Sequence, residues 1–407
     1  MRCGLLGRKL GHSYSPQIHG RMADYPYVLF EKEPEELESF LKFGDFTGIN
    51  VTAPYKKDVI PYLDELTPTA KRMGAVNTIL RRNGRLIGHN TDYFGFLTMV
   101  RASGADVSGK KVLVLGSGGA SNTAVAVLEE LGANVVIISR SGENHYGNLE
   151  RHTDAAVIVN TTPVGMYPNT DRSPIDLTCF PHLEAVLDVI YNPARTMLLR
   201  QAEALGLPTM NGLLMLVAQA KEASEWFSGH PLDDALILQI HRELRQQMEN
   251  IILIGMPGCG KSTVGQEVAS RLGKRFVDAD AELIATAGRS IPEIFATDGE
   301  AGFRKLENAV LGELGKQSGL VFATGGGCIT QQENYTHLHQ NGTIFWIRRD
   351  ITKLPTDGRP LSQANKLDEM YRIRRPLYEA FADCTIENDG SIESAAAEIL
   401  RIWEENL

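Results

Sequence analysis

The residues of this sequence that could do chemistry lie in two glycine-rich turns and two groups of polar side chains. Gly255-Met256-Pro257-Gly258-Cys259-Gly260-Lys261-Ser262-Thr263 has the spacing of a phosphate-binding loop. Backbone N–H groups from Gly258 through Cys259 and Gly260 to Thr263 can surround the phosphates of a nucleotide, while Lys261 reaches the outer ones and Ser262 holds Mg²⁺. Asp278 and Asp280 end an apolar run with the spacing that points two carboxylates the same way on a strand. One can complete the metal shell through water, and the other can face a hydroxylated substrate. The second turn, Gly116-Ser117-Gly118-Gly119-Ala120, varies the dinucleotide fingerprint, with Ala120 directly after Gly119. About twenty residues on, an NAD enzyme would show an acid for the ribose hydroxyls. This chain has Ser139-Arg140-Ser141, and a guanidinium there suits a 2′-phosphate, so NADP(H) is the expected cofactor.

The last group comprises Ser13, Ser15, Asn50, Thr52, Lys56, Asn77, Asn90, Thr91 and Asp92. All fall at the ends of short elements, where loops present binding groups from a rigid scaffold. Ser15 before Pro16 suits a helix N-cap equally well.

The elements that must position these residues alternate in type. Cys3 to Leu6, Tyr27 to Phe30 and Gly48 to Val51 are expected as strands, with helices over Ser15 to Met22 and Glu35 to Phe43. Asn83-Gly84 between Asn77 to Leu80 and Arg85 to Gly88 is a hairpin signal. Lys111 to Leu115, the glycine turn, a helix from Ser121 to Leu131 and a strand from Val135 to Ser139 form the first half of a Rossmann unit. Apolar runs at Val157 to Val159 and Val186 to Ile190 continue a parallel sheet. Asp233 to Met248 is expected as a helix that runs almost directly into a buried strand, Ile251 to Ile254, ahead of the phosphate loop. Expected boundaries follow: a substrate domain over 1–103, a Rossmann domain over 104–247 whose closing helices from about 211 return to the first, and a P-loop domain over 249–407.

Length and composition agree with this division. At 407 residues the chain suits two or three domains, and 22% charged residues with 39 glycines fit α/β architecture with many tight turns. A net charge of -9 gives no footprint for nucleic acid or an anionic membrane, which leaves small molecules as the expected partners. Five cysteines without CxxC spacing, one of them inside the phosphate loop, point to a reducing compartment. With no apolar run of membrane-spanning length, a cytoplasmic location is expected.

Gly11-His12-Ser13-Tyr14-Ser15-Pro16, Asn50-Val51-Thr52-Ala53-Pro54-Tyr55-Lys56, Ala75-Val76-Asn77-Thr78 and Gly88-His89-Asn90-Thr91-Asp92 together resemble, in order, the signatures of the shikimate dehydrogenase family. The resemblance implies that Ser13, Ser15, Thr52, Asn77 and Asp92 contact the substrate's hydroxyls and carboxylate, and that Lys56 and Asp92 form the catalytic pair. The chemistry agrees. A ketone accepting hydride develops charge on oxygen, and an ammonium there stabilises it and supplies the proton. The GxGGA turn matches the same family, which also implies NADP contacts at Thr161 and Gly212 and substrate contacts from Tyr191 and Gln219. His19-Gly20 departs from the family's usual His-Asn.

The remainder, with Gly299 to Glu307, Gly325-Gly326-Gly327, Arg359-Pro360-Leu361 and Arg374-Arg375-Pro376, resembles shikimate kinase, a P-loop nucleoside-monophosphate-kinase-like α/β fold. That resemblance implies Asp280 at the substrate hydroxyl, Arg304 and Arg374 on its carboxylate, Gly325 to Gly327 along the ring, Asp278 in the metal shell, and Arg359 closing over the ATP phosphates. From Trp346 to Arg359 the chain is several residues shorter than the family norm. The expectation is a fused enzyme that reduces 3-dehydroshikimate with NADPH and then phosphorylates shikimate with ATP and Mg²⁺. Its rivals are a quinate-using dehydrogenase with a weak kinase, and a catalytically silent metabolite sensor of the same folds.

Overall fold

The computed structural model describes residues 1–11, 13–354 and 364–406. They form two compact units, Met1–Tyr191 with Thr196–His241, and Asn192–Arg195 with Arg242–Leu407.

The first unit holds two sheets. One runs in the order β2-β1-β3-β5-β6-β4 and comprises β1 (Cys3–Gly7), β2 (Tyr27–Glu31), β3 (Gly48–Val51), β4 (Glu65–Leu66), β5 (Thr78–Arg82) and β6 (Arg85–His89). β1 pairs in parallel with β2 and β3, and β5 turns back antiparallel to β3 and β6. The turn between β5 and β6 is Asn83-Gly84, with φ of 52° and 75°. Those positive angles are what a tight primed hairpin turn demands, and Asn and Gly are the residues that tolerate them. Val51, Lys56, Asn77 and Asp92 therefore stand at neighbouring strand ends.

The other sheet is wholly parallel, β11-β10-β9-β7-β8, from β7 (Lys111–Leu115), β8 (Asn134–Ile138), β9 (Val157–Asn160), β10 (Ala185–Asp188) and β11 (Thr209–Met210). Buried on both faces, its central strands are runs of valine, isoleucine and leucine. Strand order reverses at β7, so the crevice for a ligand opens at the glycine turn that follows it. Helix Leu213–Ser228 packs along helix Asp92–Ser103; the approach is close enough that a Cβ on Gly95 would stand 2.7 Å from the Met215 carbonyl oxygen.

In the second unit a parallel sheet runs β13-β14-β12-β15-β16, from β12 (Asn250–Ile254), β13 (Arg275–Asp278), β14 (Leu320–Ala323), β15 (Gly342–Arg348) and β16 (Cys384–Glu387). β12 is central and fully buried, so the phosphate loop is held at its C-terminal end between β14 and β15. One expectation needs correcting. The strand expected to carry both Asp278 and Asp280 stops at Asp278, and Asp280 lies in the first turn of helix Ala279–Ala287. Asp278 caps that helix by accepting from the backbone N–H of Asp280 and Ala281 at 3.1 and 3.2 Å. Carboxylate capping outweighs strand continuation here, because it satisfies donors that an uncapped helix leaves open.

Candidate active sites

A cavity of about 310 Å³ lies in the first unit between the two sheets' loops. Ser13, Ser15, Thr52, Lys56, Asn77 and Asp92 line it together with Ala120, Val189, Tyr191, Gly212 and Gln219. Asn50, expected only as a member of the polar group, also lines it, carried there as the penultimate residue of β3. The Lys56 ammonium donates to Asp92 Oδ2 at 2.6 Å, and the Asn77 amide donates to Asp92 Oδ1 at 2.9 Å. Asn77 Oδ1 in turn accepts from the Thr91 backbone N–H at 2.7 Å, and the Thr91 hydroxyl reaches Gln219 Oε1 at 3.3 Å. The pair is thus fixed at one end of a hydrogen-bonded chain, while Lys56 keeps roughly a third of its side chain open to the cavity. An ammonium held in this way can give a proton to an oxygen that gains charge, and the carboxylate keeps it oriented.

The dinucleotide turn stands beside this cavity. Gly116 has φ of 110°, and a Cβ on it would crowd Thr161 Oγ1 at 2.8 Å. Above Gly118 and Gly119 nothing lies within 4 Å of where a Cβ would be, which leaves the N-terminus of helix Gly119–Glu130 open to a phosphate. Ser139 and exposed Arg140 follow β8, the Ser139 hydroxyl turned onto the Ser141 carbonyl. The Thr161 hydroxyl is taken by the Leu115 carbonyl at 2.6 Å, so its surroundings are set by packing of β9 against β7. Gly212 is a glycine for a steric reason, since a Cβ there would collide with the Val189 carbonyl. These features fit a 2′-phosphorylated dinucleotide.

Asp188, at the end of β10, was not singled out in the sequence, because an aspartate after an apolar run is an ordinary strand end. It is fully buried. Its Oδ1 accepts from Asn160 Nδ2 and the Ile190 N–H, both at 3.0 Å, and its Oδ2 from the Thr196 hydroxyl at 2.7 Å. Burial pushes the carboxyl up to about 7, against the three hydrogen bonds, and the described residues give it no cationic partner. An unfolded aspartate titrates near 3.9, so the folded chain holds the extra proton between the two values. Its contribution is therefore present below about pH 4, is lost as pH rises to about 7, and changes little above that. Asp188→Asn should remove this fall, a difference of roughly 3 kcal/mol between pH 5 and pH 8 in paired urea unfolding. Parallel stability curves for the two proteins would refute the assignment.

The second unit places its candidates around the phosphate loop. Gly258 and Gly260 have φ of 83° and 97°, and between them Cys259 is buried. Lys261, nearly buried, donates to the carbonyls of Gly255 and Met256 at 2.9 and 3.1 Å, folded across the loop that phosphates would fill. Ser262 and its neighbour Thr263 open helix Lys261–Leu272. The Ser262 hydroxyl meets Asp278 Oδ2 at 2.7 Å, which brings two oxygen ligands to one point. Among the described residues no group of three or more His, Cys, Asp or Glu is placed to hold a metal. The pair fits Mg²⁺, which keeps water and phosphate oxygens as its other ligands.

Opposite the loop, burial first and the Asp278 charge second raise the Asp280 carboxyl, while Lys261 and Arg304 pull it down. A raised carboxylate is a better proton acceptor for a hydroxyl. Arg304 donates to Glu307 Oε2 at 2.7 Å and lies over Gly327, where any Cβ would collide with its guanidinium. A Cβ on Gly325 would stand 2.8 Å from both Asp280 Oδ1 and Glu307 Oε1, and one on Gly326 would strike Pro257 at 2.7 Å. Arg374 donates to the Gly326 carbonyl at 3.1 Å, and Tyr378 to the same oxygen at 2.6 Å. Glu307 carried no assigned role from the sequence. Its i,i+3 spacing from Arg304 on one helix was the available signal, and its burial gives it meaning. Arg359 lies outside the described residues.

Comparison with known proteins divides along the same line. Residues 5–79 match the family model described as shikimate dehydrogenase substrate binding domain, and residues 257–404 that of shikimate kinase. A Clostridium perfringens (strain SM101) protein named shikimate dehydrogenase (NADP(+)) is 38% identical over 264 residues, spanning 60% of this chain and 97% of its own. Its namesake from Exiguobacterium sibiricum is 38% identical over 270 residues, covering 61% and 99%. Among solved structures, shikimate dehydrogenase 1 from Peptoclostridium difficile superposes with a TM-score of 0.56 at 39% identity, covering 60% of this chain and 98% of that one. Shikimate 5-dehydrogenase from Thermus thermophilus, solved with NADP(H) and shikimate, gives 0.54 at 32% identity, covering 60% and 99%.

Proposed function

Because the chain belongs to the shikimate dehydrogenase family over its first 60% and carries a shikimate kinase domain beyond it, we propose that it is a bifunctional enzyme of the shikimate pathway. It reduces 3-dehydroshikimate to shikimate with NADPH, then phosphorylates shikimate with ATP. We assign residues 1–103 to substrate binding, 104–247 to NADP binding with helices from about 211 returning to the substrate, and 249–407 to the kinase. No helix among the described residues is long and apolar enough to cross a membrane. The five cysteines are unpaired, which supports a reducing cytoplasm as its location.

The observation that carries the first activity is the Lys56–Asp92 pair at 2.6 Å, in a cavity that Ala120 of the second glycine turn and Gly212 also line. When bound, NADPH supplies hydride at the first site, and MgATP supplies the phosphoryl group at the second. Lys56 gives its proton to the ketone oxygen as that oxygen becomes a hydroxyl, and Asp92 holds the ammonium in line. Ser13, Ser15, Asn77, Tyr191 and Gln219 orient the hydroxylated ring. At the second site Asp280 accepts the hydroxyl proton, Arg304 and Arg374 hold the carboxylate, and Lys261 neutralises phosphate charge. Ser262 and Asp278 would hold Mg²⁺.

Two assays on the intact chain test this: shikimate-dependent reduction of NADP⁺, and shikimate-dependent release of ADP, with NAD⁺ and quinate as controls. Both should be positive, with NADP⁺ and shikimate preferred. Silence in both would return the chain to the metabolite-sensor reading, and quinate turnover that outpaced shikimate would replace the substrate.

A further inference from the structure

We propose that Asn388 is a positioning residue of the second site, holding the Cys259–Gly260 peptide in the orientation that turns the Gly260 N–H toward bound phosphates. The inference rests on the phosphate-loop reading above. Asn388 follows the last residue of β16 and is buried. Its backbone N–H donates to the Arg348 carbonyl at the end of β15 at 2.7 Å, and its side-chain Nδ2 donates to the Cys259 carbonyl, also at 2.7 Å. The residues on either side of it are engaged elsewhere. Glu387 pairs with Arg348, while Asp389 meets Lys353 at 3.4 Å and accepts from the Asp350 N–H at 3.0 Å.

Peptide geometry turns this contact into an orientation. The Cys259–Gly260 bond is trans, so its carbonyl and its N–H point in opposite directions within one plane. With the carbonyl fixed on Asn388, the Gly260 N–H faces away from that side chain, and it belongs to the run of donors that a loop of this spacing offers to phosphate. The loop alone does not enforce this. Gly260 has φ of 97°, and glycine takes positive and negative φ about equally well, so the peptide before it can turn over at little cost. Turned over, it would present a carbonyl oxygen to the phosphates in place of a donor. Holding a carbonyl takes a donor, which asparagine has and an ionised aspartate lacks. The two residues are also in close approach, since a Cβ on Gly260 would stand 2.6 Å from Asn388 Nδ2.

The test compares the full chain, wild type, with Asn388→Ala, which removes the amide, and Asn388→Asp, which keeps its shape without a donor. Calorimetry with inorganic tripolyphosphate and Mg²⁺ should show a dissociation constant about tenfold higher in both variants. KM for ATP in the ADP-release assay should rise by the same factor with kcat within about threefold, because the N–H holds phosphate alike in ground and transition states. Shikimate binding without nucleotide should change less than about twofold, whereas a general loosening of the second unit would weaken it too. An unchanged tripolyphosphate constant in Asn388→Ala, or equal weakening of tripolyphosphate and shikimate, overturns the proposal. Weakening in Asn388→Asp alone would assign the effect to the added charge and overturns it as well. If the wild type binds neither tripolyphosphate nor ATP, the phosphate-loop reading itself fails, a result distinct from binding that Asn388 does not affect.

Discussion

Lys56→Ala should lower shikimate-dependent reduction of NADP⁺ by about a thousandfold, the usual worth of a positioned proton donor together with its charge. ADP release by the same preparation should stay within about twofold of wild type. The size of the effect follows from the geometry. Lys56 donates to Asp92 at 2.6 Å, and truncation leaves a carboxylate with only the Asn77 amide and no cation. The substrate then faces uncompensated negative charge where its oxygen must itself become negative. Loss should fall on kcat more than on KM, because the proposed contacts to the ring hydroxyls, Ser13, Ser15 and Asn77, are not touched by the substitution. Steady-state rates with both substrates varied decide the matter. A variant whose kcat drops less than about tenfold would remove Lys56 from the chemistry.

Lys261→Met should do the reverse. Phosphorylation is expected to fall by about a hundredfold to a thousandfold, with reduction of NADP⁺ unchanged. Methionine keeps the length and packing of a nearly buried side chain and removes only the ammonium. The carbonyls of Gly255 and Met256, which that ammonium now bridges at 2.9 and 3.1 Å, lose their donor, so a modest drop in stability should accompany the loss. Urea unfolding of the variant, measured beside ADP release at saturating shikimate, separates the two effects, since NADP⁺ reduction reports on the first unit and Lys261 belongs to the second. If either lysine variant lost both activities, the two sites would not be independent and the fused-enzyme mechanism would have to be redrawn.

Much of this was legible without coordinates, and for identifiable reasons. Phosphate and dinucleotide loops are local: their glycines, the lysine, and the flanking strand and helix are contiguous in sequence, so spacing alone specifies Gly116 to Ala120 and Gly255 to Thr263. Asn83-Gly84 is local too, because its positive φ angles belong to the two residues themselves. Charge and cysteine spacing likewise needed no fold to favour small-molecule partners and a reducing compartment.

What the sequence could not decide depends on groups brought together from distant positions or on the loss of water. Lys56 and Asp92 are separated by 36 positions and meet only because β3 and β6 end on either side of the start of β5. Asp280 sits on a helix because Asp278 caps it, a competition between strand and cap that propensity does not resolve. Glu307 becomes an anchor for Arg304, and Asp188 a carboxylate poised near 7, only once burial strips their solvent away. Sequence records that a residue can carry charge. The free energy of that charge depends on desolvation and on its partners in three dimensions, and only the tertiary structure sets both.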